Sequence, residues 1–177
     1  MYCLLLRNQY ELYAALEPAL ERHALHPMIA PIHFPGLERL ARLESDLETL
    51  AGREWRSTLR VLPATGEYAA RLRALADSSP ELLVAHAYVR YLGDLSGGQM
   101  LKQIVAKHLG LPIDEGTRFY EFAELGDLKA FGIAFRKALD ALPFDEPRAS
   151  RLVIEAQWAF EQHVKIFEEM DPEALTS

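Results

Sequence analysis

From His86 to Leu109 the chain reads HAYVRYLGDLSGGQMLKQIVAKHL, and this stretch narrows the available folds more than any other. Its outer parts carry helical spacing: Tyr88, Tyr91, Leu92 and Leu95 recur at three and four, as do Met100, Leu101, Ile104, Val105 and Leu109. Between them lies Gly93-Asp94-Leu95-Ser96-Gly97-Gly98. Each glycine inside a helix costs about 1 kcal/mol against alanine, so the bare backbone must serve a purpose. Gly93 and Gly97 are four apart and share a face, with Gly98 adjoining. Such a face admits either a neighbouring backbone or a flat ligand to contact distance. Asp94 stands beside it and Arg90 one turn earlier, placed for an ion pair or a water-linked network. A kinked helix carrying a carboxylate over a ligand is one reading, and close helix packing is the other. A membrane-spanning dimer helix is excluded, because Arg90, Asp94 and Gln99 interrupt any apolar run of sufficient length.

The remaining segments are helical as well. Leu4 to Arg22 carries an apolar stripe, in which Pro18 predicts a kink or an early end. Pro27, Pro31 and Pro35 mark an irregular connection from His26 to Pro35, and Leu37, Leu40, Leu43, Leu47 and Leu50 then form a helix ending before Gly52. Ser57 to Glu67 reads as a short piece and a turn, and Tyr68 to Ala76 as a brief helix. Ser78-Ser79-Pro80-Glu81 predicts a helix start, with proline in the first turn and a glutamate placed for capping. Gly110 ends the organising helix. Gly116 to Glu124, with Phe119, Tyr120 and Phe122, is expected to be a loop or short helix on the core. Asp127 should cap a helix running to about Leu142 and stopped by Pro143. The last helix, Pro147 to Met170, is expected to bury Leu152, Val153, Ala156, Phe160, Val164 and Phe167. No segment alternates, repeats or thins into a linker, so residues 1–177 read as one all-α, multi-helical domain.

Composition narrows the function. A net charge of −7 leaves no basic stripe for nucleic acid. The single cysteine, Cys3, excludes an internal disulfide framework and fits a reducing cytosol. The apolar run Tyr2 to Leu6 is too short for a secretory signal, so a cytoplasmic protein is expected, with no membrane partner. No pair of histidines has zinc-ligand spacing with a carboxylate, so no protein-only metal site is expected. His23, His26 and His33 fall in or beside the proline-rich connection, His86 reads as a buried structural residue, and His163 as the edge of a pocket. Lys129 and Arg136, seven apart on the penultimate helix, form either a solvated charged face or a clamp for a ligand's carboxylates.

The string Tyr88-Val89-Arg90-Tyr91-Leu92-Gly93-Asp94-Leu95-Ser96-Gly97-Gly98-Gln99 closely resembles the distal helix of the biliverdin-forming heme oxygenases. Its LSGGQ core also matches the signature of ABC-transporter ATPases, but those need a phosphate loop ending in Gly-Lys, and no glycine here precedes lysine. The resemblance extends over nearly the whole chain, through LYAALEPALER, His33-Phe34-Pro35 and the closing segment Phe160 to Met170. It implies a heme-oxygenase-like fold and oxidative cleavage of heme to biliverdin, CO and Fe2+. Heme is then both substrate and cofactor, with O2 as co-substrate. Electrons come from an external donor, a ferredoxin or an NAD(P)H-dependent reductase, since no flavin or nicotinamide motif is present. Asp94, Arg90 and Tyr13 match the family's catalytic network, in which Asp94 holds a proton-delivering water chain. Gly93, Gly97, Gly98 and Tyr88 match residues lying against the heme, Arg136 a propionate ligand, and Phe160 and Phe167 the pocket walls. The family's proximal histidine lies on a leading helix, ahead of the segment matching Tyr2 onward, so the resemblance places the iron ligand outside these residues. The alternative expectation is a non-catalytic heme-binding or partner-binding helical module without that ligand. A shortened gene model of an ordinary enzyme would read the same way.

Overall fold

A computed structural model describes residues 1–112 and 115–170, and among them the regular structure is entirely helical. Eight α-helices form it: α1 Tyr2–Arg22, α2 Leu40–Ala51, α3 Trp55–Thr58, α4 Pro63–Ser78, α5 Leu83–Ala87, α6 Gly93–Leu109, α7 Leu128–Asp140 and α8 Glu146–Met170. α1 packs against both α4 and α2, and α8 lies over α4 and α5. Leu6, Leu12, Leu16, Leu43, Leu47 and Leu72 are among the side chains that fill the resulting core. Three- and four-residue spacing in each helix supplies the stripe that this packing needs.

Helix ends are tied down by side chains borrowed from other helices. Arg39, at the N-cap of α2, makes no cap of its own. Instead the Glu17 carboxylate on α1 accepts from the Arg39 and Leu40 amides, satisfying donors that a helix N-terminus leaves open. Asn8 of α1 accepts from the Leu62 amide at 2.8 Å, just before α4. Asp46 of α2 accepts from the Arg118 and Phe119 amides at 3.0 and 2.8 Å, fixing the turn at 118–120. Arg39 itself is fully buried: it donates to the carbonyls of Leu37, Gly36, Phe119 and Glu121, and stacks 3.9 Å from the Phe122 ring centroid. The segment Gly116 to Glu124 therefore packs on the core as short 3-10 turns, as the sequence leads one to expect.

Several expectations require correction. α1 does not end at Pro18 but runs on to Arg22. The buried neighbours Leu16, Ala19 and Leu20 anchor it past the lost backbone bond. Pro63 starts a helix rather than breaking one, because a first-turn proline gives up no bond, and α4 runs from there to Ser78. Ser79-Pro80-Glu81 begins a 3-10 turn without a side-chain cap, and Glu81 faces Arg151 at 3.7 Å instead. Asp127 caps α7 as expected, accepting from the Lys129 and Ala130 amides at 2.9 and 3.1 Å.

The largest correction concerns α8. The core receives Glu155, Ala159, Gln162, Ile166 and Met170, whereas Val153, Phe160, Val164 and Phe167 face outward and Leu152 and Ala156 are half-buried. The stripe read as core is thus an apolar outer face. Periodicity reveals that a helix has two faces but not which one its neighbours cover.

Candidate functional site at the glycine helix

The organising stretch is three pieces of helix. Between α5 and α6, Tyr88–Leu92 forms one π-helical turn. The extra residue in such a turn changes the facing of α6 relative to α5, and single π turns often occur at functional sites. The irregularity thus falls just before the glycines rather than at them. α6 ends at Gly110, whose φ of 62° permits the left-handed cap.

Gly93 and Gly97 border open space, with nothing within 4 Å of a Cβ built on either. Gly98 differs: its Cβ would lie 3.1 Å from Tyr120 Cδ1, so this glycine serves packing inside the fold. Met100, Leu101 and Ile104 carry the exposed side of α6 onward. On α8, Phe160 and Phe167 are 53% and 54% exposed, on the same outer face as Val164. Ile104 and Phe167 line one cavity of about 490 Å³ with Tyr2 and Leu5, so the two outer faces meet at that end. Two helices together present a broad unpolar surface around a strip of naked backbone. Surfaces of that kind mark ligand or partner sites.

Polar chemistry gathers at the root of α6. Asp94 is 14% exposed, accepts from the Tyr13 hydroxyl of α1, and lies 3.5 Å from Arg90 Nη2. Burial raises the Asp94 carboxyl above its ordinary range, while Arg90, the Tyr13 bond and Arg39 pull the other way. Tyr13 is fully buried, and burial together with Asp94 pushes its hydroxyl pKa far up, so it stays protonated and donates. The Arg90 guanidinium sits 5.1 Å from the Tyr13 ring centroid. A largely buried carboxyl whose pKa is raised by burial, set between a fixed phenol and a fixed cation, is fitted to accept and return protons.

Gln9, which the sequence does not single out, and His163 complete this arrangement. Gln9 Oε1 accepts from Arg90 Nη2 at 2.5 Å. It lies four before Tyr13, and that spacing was the available signal. His163, read as a pocket edge, approaches Arg90 Nη1 at 2.5 Å through Nε2. His86 is buried as expected: its Nε2 meets Glu155 Oε1 at 3.1 Å and its Nδ1 the Tyr68 hydroxyl at 3.0 Å. Glu155 is also held by Arg71 at 3.0 and 2.7 Å. Burial works to raise the Glu155 carboxyl, but His86 and Arg71 bring it down to about 2.

The structure therefore brings Tyr13, Arg90 and Asp94 together beside Gly93 and Gly97. Tyr88 is 40% exposed on the π turn and shares a separate apolar cavity with Leu139 and Val153. Arg136 stands exposed on α7, its Nη1 donating to the Gly132 carbonyl at 3.2 Å, without contact to the central group. Among the described residues no group of His, Cys, Asp and Glu side chains could hold a metal ion.

The heme oxygenase family model matches residues 1–169. The chain belongs to the heme oxygenase family. Heme oxygenase 1 of Nostoc sp. is 44% identical over 170 residues, covering 96% of this chain and 71% of that protein. The crystal structure of heme oxygenase-2 from Synechocystis sp. in complex with heme and NO superposes with a TM-score of 0.92 at 42% identity, over 97% of this chain and 71% of that one. Heme oxygenase from Leptospira interrogans gives 0.91 at 38% identity, over 95% and 82%. The all-helical heme oxygenase fold expected from the distal-helix string is the one observed.

Proposed function

We propose that this chain acts as a heme oxygenase, opening heme to biliverdin, CO and Fe2+ with O2 and electrons from an external donor. One observation carries the reading: Gly93 and Gly97 leave the backbone of α6 bare against open space, with Asp94 and Arg90 fixed beside it. A flat, largely apolar ring with acidic substituents fits that surface. When bound, heme supplies both the ring to be cleaved and the iron at which dioxygen is reduced.

The chain's own residues do the rest. Gly93 and Gly97 let the α6 backbone approach the ring closely, and Gly98 supports them by its fit to Tyr120. Phe160 and Phe167 supply apolar wall and exclude water from the bound ring. Asp94 holds water and moves protons through its carboxyl, whose pKa burial raises above the ordinary carboxylate range. Tyr13 and Arg90 fix the carboxyl's position and limit how far its pKa climbs. Arg136, exposed on α7, provides the cation for a propionate.

No helix among the described residues is long and apolar enough to cross a membrane, and Cys3 has no partner cysteine in the chain. Both support a cytoplasmic setting in which a ferredoxin or an NAD(P)H-dependent reductase reaches the protein by diffusion. The test is Asp94→Ala in the whole protein. Hemin titration should show binding retained, while biliverdin formation under a reductase system is abolished. Unchanged turnover would remove Asp94 from the chemistry.

A further inference from the structure

The Arg90 guanidinium is buried, and both its terminal nitrogens are taken by uncharged acceptors from opposite ends of the chain. Nη2 donates to Gln9 Oε1 on α1 and Nη1 to His163 Nε2 on α8, each at 2.5 Å. Asp94, its charged neighbour one turn away, stands farther off at 3.5 Å. This ordering is unusual. A guanidinium near a carboxylate ordinarily closes on it with two parallel bonds.

His163 is built for this role. Arginine has only donors, so the imidazole must turn a lone pair toward it. Burial, Arg90 and His86 hold the His163 pKa down to about 2, which keeps the ring neutral. Its orientation is set by Tyr68 of α4, which packs edge-on at 5.6 Å between centroids. Tyr68 is held in turn by His86, and His86 by Glu155. Since Glu155 is a carboxylate, His86 donates to it from Nε2 and accepts the Tyr68 proton at Nδ1.

We propose that Gln9 and His163 are positioning residues, a pair of neutral acceptors that hold Arg90 back from a closed ion pair with Asp94. Restraining Arg90 leaves an Asp94 oxygen free for water, and so the role of the clamp in turnover rests on the heme oxygenase reading. The clamp itself does not. Without it, a buried guanidinium left with unsatisfied donors turns to the nearest acceptor, because leaving charged donors unpaired costs more than moving a side chain. That acceptor is Asp94. The other groups facing the carboxyl, Tyr13 from α1, Arg39 from the start of α2, Tyr91 from the π turn and Tyr120 from the turn at 118–120, stay where they are.

The test follows the Asp94 carboxyl carbon by NMR against pH, in the whole protein without added heme. In Gln9→Leu and in His163→Leu the Asp94 pKa should fall by about 1 unit, as expected when an opposite charge closes in. His163→Asn, which keeps a neutral acceptor, should restore the original value. An Asp94 pKa that stays or rises in the leucine variants overturns the proposal. Should His163→Leu not fold, Gln9→Leu decides by the same signal. Because no heme enters this measurement, its failure is separable from a failure of the Asp94→Ala turnover test.

Discussion

The Tyr13 hydroxyl donates to the Asp94 carboxylate, joining α1 to α6 across 81 residues of sequence. A buried phenol with a raised pKa is a permanent donor here, so the bond favours the ionised carboxylate. Tyr13→Phe removes the donor while keeping the ring that packs against Tyr91 and Phe119. The Asp94 pKa should then climb further above its ordinary value, and the pH profile of biliverdin formation should shift to the alkaline side. A profile coincident with that of the parent protein would show that the bond does not govern Asp94.

The glycines of α6 should separate by substitution. Gly97→Ala meets open space, and alanine's helix propensity should raise stability by about 1 kcal/mol. Gly98→Ala gains the same propensity but must displace Tyr120, so its melting temperature should fall short of the Gly97→Ala value. Gly97→Leu should leave the helical circular-dichroism signal intact and weaken heme binding, because its side chain fills the ligand's approach. Unfolding of Gly97→Leu would return that glycine to a packing role.

Arg136 is solvent-exposed and bonded only along its own helix. Arg136→Glu should therefore weaken hemin binding by no more than about fivefold, the range of an exposed ion pair. A change in the biliverdin isomer ratio would show that the residue also orients the ring. Equal affinity and equal isomers would leave it a solvated surface charge.

Glu155 sets an acid limit on stability. Its carboxyl titrates at about 2 in the fold, against an ordinary value of 4.5. The charged form is thus favoured in the native state, and this stabilisation is complete above about pH 4.5 and lost as pH falls toward about 2. The shift corresponds to about 3 kcal/mol. Burial lowers the His86 pKa, so the native state also resists protonation there and begins losing stability below the ordinary histidine range. Glu155→Gln should lower the melting temperature at pH 7, with the gap to the parent protein narrowing as pH drops toward 3. Parallel curves would show that the His86, Glu155 and Arg71 contacts carry no net charge stabilisation.

The sequence by itself determined the helices, because a 3.6-residue stripe and a cap such as Asp127 are local properties that need no neighbour. It also marked the glycine run, whose cost inside a helix demanded a cause, and through the family resemblance it pointed to Tyr13, Arg90 and Asp94 as one network. Only the tertiary structure decided which surface each stripe faces. α8 turns Glu155 and Gln162 inward, where Arg71 neutralises the Glu155 charge and His86 hydrogen-bonds it, and leaves Phe160 and Phe167 outside. Likewise, nothing local distinguishes Gly97 from Gly98; Tyr120, brought in by a distant turn, makes one a packing glycine and leaves the other bare. The grip of Gln9 and His163 on Arg90 joins three segments remote in sequence. Such contacts form only when the chain closes on itself, so spacing puts Gln9 on the face of Tyr13 but cannot say what that face meets.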